Sequence, residues 1–202
     1  MTTARPEDIA GIYERKAREF DEVRSRTLFE RGWLERFAEL LPENASVLDL
    51  GCGHGEPIAS WLIAQGFSVT GVDTSPSLLA LCRQRFPAQH WIERDMRKVA
   101  LDRPFNGIVA WDSFFHLPHD DQRAMFEVFR AHAAPGAALM FTSGPEHGEA
   151  FGDHAGEALY HASLAPDEYC AFLAAAGFDV VAHTTNDTDC AGHTVWLAQR
   201  QR

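Results

Sequence analysis

The sequence has no long apolar run. Its longest unbroken stretches, such as Ala137–Phe141, fall far below the ~18 residues of a membrane-spanning helix, so no transmembrane helix is expected. Cysteine is scarce: Cys52, Cys82, Cys170 and Cys190 lie far apart, with no Cys-x-x-Cys pair. That spacing argues against a disulfide framework or a zinc knuckle and leaves reduced thiols as the expectation. Positive charge is short as well, since 18 Lys and Arg face 29 Asp and Glu, for a formal net charge of −11 without a basic stripe. A duplex or an anionic membrane would be repelled by that field, so the expected partner is a small molecule, with no nucleic acid and no membrane. Residues Met1 to Asp8 carry charges and lack the apolar centre of a signal peptide, which gives a cytoplasmic protein as the expectation. No repeat and no Gly/Ser-rich or Pro-rich linker divides the chain. Its 202 residues suit a single domain, 1–202, with a sizeable core.

What is there is an alternation of short apolar runs and helical patterns. Apolar residues at helical spacing predict helices over Pro6–Phe20 (Ile9, Ile12, Tyr13) and Thr27–Leu41 (Leu28, Trp33, Leu34, Phe37). Ser46–Gly51 reads as a buried strand that feeds the loop Gly51-Cys-Gly-His-Gly55, and Pro57 then suits the first turn of a helix to about Gln65. A second strand follows at Ser68–Asp73, and Ser75 caps a helix that begins with Pro76 and runs to about Arg85. Further strands are predicted at His90–Glu93, Gly107–Asp112, Ala137–Thr142, Asp179–His183 and His193–Ala198, with helices over Asp120–Ala134 and Pro166–Ala176. Strands alternating with helices imply an α/β fold, a Rossmann-like doubly wound, mostly parallel sheet with helices on both faces. Ser143–Ala165 breaks the rhythm and reads as a long substrate-side loop.

Glycines at 51, 53 and 55 let the backbone turn tightly and approach a ligand, with a helix N-terminus just behind. The dinucleotide fingerprint places its third glycine further on, at the helix dipole that takes pyrophosphate. Here the spacing is Gly-x-Gly-x-Gly, and Asp49 ends the strand, where a carboxylate would oppose pyrophosphate and suit a cation. A sulfonium that carries an amino group is such a ligand.

Val47-Leu-Asp-Leu-Gly-Cys-Gly-His-Gly55 resembles the first motif of the class I S-adenosylmethionine-dependent methyltransferases almost letter for letter, and Val69-Thr-Gly-Val-Asp73 resembles their second. The resemblance covers about residues 10 to 200 and implies a seven-stranded sheet with an antiparallel last strand, in agreement with the seven strands read above. It implies S-adenosylmethionine as cofactor and S-adenosylhomocysteine as product, bound through Asp49, Gly51, Cys52, Gly53, Gly55, Asp73, Thr74 and Ser75. Asp73 would take both ribose hydroxyls. In Arg94-Asp-Met96, Asp95 would accept from the adenine amine and Met96 would pack on its ring. Ala110–His116, with Trp111 and Asp112, would pass under the methionine part. The implied division is a helical lid at 1–41, a cofactor core at 42–142, the loop at 143–165 and a C-terminal helix and strands at 166–202.

The implied reaction is methyl transfer by in-line displacement to an O, N or S atom of a small molecule, with the enzyme chiefly positioning the reactants. Nucleic-acid base methylation is disfavoured, because Asp112-Ser-Phe-Phe stands where an Asn/Asp-Pro-Pro-aromatic signature would be. A hydroxyl acceptor needs a base, and His116 is the candidate, although it equally fits a packing role. Tyr13, Ala17 and Phe20 fit the lid pattern of the family, which makes Tyr13 a second catalytic candidate. Trp33, Phe115, His147 and Tyr160 are candidates for the acceptor pocket, although large aromatics such as Trp33 and Trp111 also build cores. Ten histidines invite a metal reading, but only Cys190 and His193 form a close pair, so no metal is expected. Two rivals stay open: a non-catalytic cofactor-binding scaffold or sensor, and an NAD-dependent oxidoreductase.

Overall fold

In the computed structural model, which describes residues 4–202, the sheet is built from strands buried on both faces. β1 (Ser46–Leu50) turns Leu48 and Leu50 to one side and Val47 to the other, all fully buried. That is why it reads as a continuous apolar run rather than an alternation. It is joined by β2 (Ser68–Asp73), β3 (His90–Glu93), β4 (Phe105–Ala110), β5 (Ala133–Ser143), β8 (Phe178–Asp187) and β9 (His193–Arg200) in the order β3-β2-β1-β4-β5-β9-β8. The first five run parallel, and β9 is antiparallel to both of its neighbours. The chain order reverses between β1 and β4, and a crevice opens at such a point beyond the C-terminal strand ends.

The two faces carry separate cores. On one, α6 (His119–His132) and α7 (Pro166–Ala175) pack Phe126, Phe129, Tyr169 and Leu173 on Leu48, Ile108, Phe141 and Trp196. On the other, α3 (Arg31–Glu39), α4 (Ile58–Ala64) and α5 (Pro76–Arg85) pack Leu34, Phe37, Leu62 and Leu79 on Val47, Val69, Val109 and Met140. Gly107 admits the Phe37 ring, since a Cβ there would stand 2.5 Å from its Cζ.

Several expectations change. The helix expected over Pro6–Phe20 is a 3-10 turn at Pro6–Asp8 followed by α1 (Ile9–Arg15) and α2 (Ala17–Val23), broken where Lys16 leaves helical geometry (φ −106°, ψ 16°). The break lets Glu14 of α1 reach α5 while Asp21 of α2 reaches Arg85. Residues Met1 to Thr3 of the expected lid lie outside the described residues. The helix expected from Thr27 begins only at Arg31, because Leu28 is left-handed (φ 53°). Pro57 precedes α4 as its cap residue instead of opening it.

The largest correction concerns Ser143–Ala165, which is not a loop. After β5, the chain forms a hairpin of β6 (Gly148–His154) and β7 (Glu157–Ser163), antiparallel and in register to the turn. Ala155 and Gly156 both have positive φ, 51° and 82°, the mark of a two-residue turn whose twist suits a hairpin. β7 buries Leu159, Tyr160 and Ala162 against Ile9 and Ile12 of α1. The outer strand mixes Gly, Glu, Ala and Asp and is largely exposed, so it carries no apolar period to read.

Candidate active site

The crevice beyond β1 and β4 holds a cavity of about 420 Å³. Its floor is the glycine loop, with Gly51, Gly53 and Gly55 at φ of 77°, 54° and 85°. A Cβ on Gly51 would stand 2.3 Å from the Ser113 Cβ, so only glycine closes this turn. The Asp73 carboxylate accepts from Gly53 N and Ser75 N, both at 2.9 Å, and so clasps the loop to the start of α5. Burial raises its pKa, against the pull of those N–H groups.

Asp49 lies beneath the loop, 4% exposed, with no hydrogen bond to its carboxylate among the described residues. Burial, reinforced by the Asp73 charge, pushes its pKa up to about 7. Its carboxylate opens onto the cavity, so a cation bound there would stabilise the ionised form. Asp95 is held differently: its carboxylate takes the backbone N–H and the guanidinium of Arg97, which keeps its pKa low. Cys52, Thr74, Met96, Trp111 and Asp112 also line the cavity, as expected, whereas Ser75 sits behind the wall and caps α5 through Leu78 N.

Across the cavity stand Tyr13 and His116. The His116 Nδ1 faces the Tyr160 carbonyl at 2.9 Å. A carbonyl only accepts, so the proton is on Nδ1, and Nε2 accepts the Tyr13 hydroxyl at 3.0 Å. Burial holds His116 down at about 4 and raises Tyr13 above its ordinary value. The imidazole is therefore neutral near pH 7. Phe115 and His161 close this end, with ring centroids 4.7 Å apart.

Three expected acceptor residues lie elsewhere. Trp33 is core, packed under α3 with its indole N–H on Asp187, because its helix turns that face to the sheet. His147 stacks on His119 beside a separate surface depression, and the Tyr160 side chain faces the same depression with its hydroxyl on Glu149. Alternation along β7 sends Leu159 and His161 to the cavity and Tyr160 away from it. Tyr160 contributes its carbonyl instead.

Arg24, His193 and His161 also line the cavity. Arg24 donates to Asp112 and to the fully buried Glu30. The His193 Nδ1 faces the Cys190 carbonyl and its Nε2 the Asp112 carboxylate. Both partners only accept, so the ring is an imidazolium. Burial works against that charge, but the Asp112 hydrogen bond and charge outweigh it and raise the pKa. The close Cys190/His193 pair was the available signal, although it suggested a metal. Among the described residues no group of three or more His, Cys, Asp or Glu is placed to hold one.

A reversing seven-stranded sheet with antiparallel β9, a glycine loop after β1 and an acid ending β2 define the class I S-adenosylmethionine-dependent methyltransferase. The chain belongs to the methyltransferase-domain family, whose model matches residues 20–183. It is 33% identical over 137 residues to "Putative methyltransferase YqeM" of Bacillus subtilis, covering 64% of this chain and 54% of that protein. To the trans-aconitate 2-methyltransferase of Azoarcus sp. it is 34% identical over 103 residues, 49% of this chain and 39% of that one. The chain thus spans about half or less of the length of these curated relatives. The solved structure of CalS10 with SAM bound, an amino pentose methyltransferase from Micromonospora echinaspora, shares the fold with a TM-score of 0.71 at 23% identity, covering 94% of this chain and 97% of that one. No helix among the described residues is long and apolar enough to cross a membrane.

Proposed function

We propose that the protein transfers the methyl group of S-adenosylmethionine to an O, N or S atom of a small molecule. The observation that carries this reading is Asp49, a buried carboxylate without a donor that faces a cavity floored by a tight glycine loop. The residues present fit the cofactor: Asp49 suits its cationic methionine end, Asp73 its ribose, and Asp95 with Met96 its adenine. The same carboxylate would oppose a pyrophosphate, which counts against the NAD alternative.

The cofactor, when bound, supplies a sulfonium methyl open to in-line displacement. The chain's residues do the rest by holding and by moving one proton. Phe115, Leu159 and Ile9 give the acceptor side apolar walls that exclude water. The Tyr13 hydroxyl donates to His116 Nε2, so its oxygen can accept a hydrogen bond from an acceptor N–H or O–H. A hydroxyl acceptor would pass its proton to Tyr13 as Tyr13 passes its own to His116, whose Nδ1–H stays fixed on the Tyr160 carbonyl. A neutral amine needs no such relay before attack.

The same reading takes the protein as cytoplasmic, a monomer or homodimer, with its four cysteines free. The test is incubation with methyl-tritiated S-adenosylmethionine and a panel of small amines, alcohols, carboxylic acids and thiols. Label transferred to a member of the panel supports the reading. Cofactor binding with label passing only to nucleic acid or protein would overturn the small-molecule assignment.

A further inference from the structure

Glu14, the one carboxylate of α1, is not part of the cavity wall, yet both of its oxygens are hydrogen-bonded to the start of α5. Its Oε2 accepts from the Ser75 hydroxyl at 2.5 Å and from Ser77 N at 3.1 Å, and its Oε1 accepts from the Ser77 hydroxyl at 2.6 Å. α5 is therefore capped twice at its N-terminus, once by its own Ser75 on Leu78 N and once by a carboxylate from another helix. A carboxylate placed there satisfies an orphan N–H and meets the favourable end of the helix dipole. These hydrogen bonds hold the Glu14 pKa below the ordinary carboxylate value.

Ser75 is also tied to the cofactor side, because its backbone N–H donates to Asp73, whose other oxygen holds Gly53 N. The residue before Glu14 is Tyr13, whose hydroxyl meets His116. Two consecutive residues of one short helix thus touch the turn that follows β2 and the acceptor-side imidazole.

We infer that Glu14 is a positioning residue: it docks α1 on the Asp73–Ser77 turn and thereby sets Tyr13 against His116, so that an ordered cofactor turn is the condition for a formed acceptor site. This rests on the reading of Asp73 as the ribose-holding carboxylate.

The test is calorimetry with S-adenosylhomocysteine together with amide hydrogen exchange over residues 9–20, on the wild type, Glu14→Ala and Ser77→Ala. Wild type should bind and show ligand-induced protection of 9–20. Glu14→Ala should bind about 10-fold more weakly, the loss expected of one charged hydrogen-bond set, and lose the induced protection. Ser77→Ala removes one partner from the exposed side and should shift both readouts in the same direction by less, which guards against a fold defect in Glu14→Ala. Wild-type affinity and protection in both variants, or wild type that binds without protecting 9–20, would overturn the inference. A wild type that does not bind at all would instead overturn the methyltransferase reading beneath it.

Discussion

Asp49 carries the sharpest residue-scale consequence. Its pKa of about 7 in the folded chain, against 3.8 ordinarily, means that the native state holds one more proton than the unfolded state between those values. Stability from this group therefore falls as pH rises through that window. Cofactor binding runs the other way, since a cation favours the ionised form. Affinity for S-adenosylmethionine should weaken as pH drops below about 7, by up to about tenfold per unit, and calorimetry across pH 5.5–8.5 would read it. Asp49→Asn should flatten that profile and weaken binding, while raising ligand-free stability at pH 8; an unchanged profile would remove Asp49 from the cofactor site.

Tyr13 and His116 give a second residue-scale expectation. Tyr13→Phe and His116→Ala should each lower turnover of a hydroxyl acceptor by roughly 10²–10⁴, with little change in cofactor affinity. Because His116 accepts only while neutral, turnover should hold through the neutral range and fall on an acid limb at about 4. Wild-type turnover in both variants would leave the dyad as packing. That these two residues line the cavity was legible because the sequence places them in recognisable surroundings, a lid pattern and the end of a strand. Arg24 and His193 were not, because their meaning depends on Asp112, which only the fold brings to them.

Among the elements, β1 and its glycine loop were readable because burial on both faces leaves an uninterrupted apolar run and the turn admits only glycine at 51. The hairpin was not readable, since β6 is exposed and β7 pairs its apolar face with α1 rather than with the main core. Edge strand β8 was shortened in the sequence for the same reason: most of it is exposed. The hairpin turn makes its own forecast. Ala155 sits at φ 51°, where an alanine Cβ is strained and Asn is at ease. Ala155→Asn should stabilise the chain by about 0.5–1 kcal/mol in denaturant titration, and destabilisation would speak against a two-residue turn there.

For the molecule as a whole, ion pairs tie the N-terminal arm over the cavity, alongside the packing of Ile9 and Ile12 on β7. Asp21 takes Arg85 with both oxygens, Arg26 meets Glu56, Arg15 meets Glu157, and Arg24 joins Glu30 and Asp112. Arg24 is the member whose loss matters most, because Glu30 is fully buried, its Oε1 accepts from Arg24 and its Oε2 has no hydrogen-bond partner. Arg24→Ala should cost about 3 kcal/mol in thermal or denaturant unfolding, the usual penalty for stranding a buried charge. A loss within 0.5 kcal/mol, the range of ordinary surface changes, would mean that Glu30 is neutral in the native chain. Burial does raise its pKa.

The sheet order was legible because its strands alternate with helices along the chain. Which faces meet the ligand was not, and Trp33 shows why: its helical spacing fixes a face, and only packing decides that this face is core. The most direct measurement is calorimetric titration of the wild type and Asp73→Ala with S-adenosylmethionine, run beside NAD. The expected result is micromolar or tighter binding of S-adenosylmethionine by the wild type, loss of that binding in the folded variant, and none for NAD. Binding of NAD in its place, or undiminished binding of S-adenosylmethionine by Asp73→Ala, would contradict the assignment of this cavity.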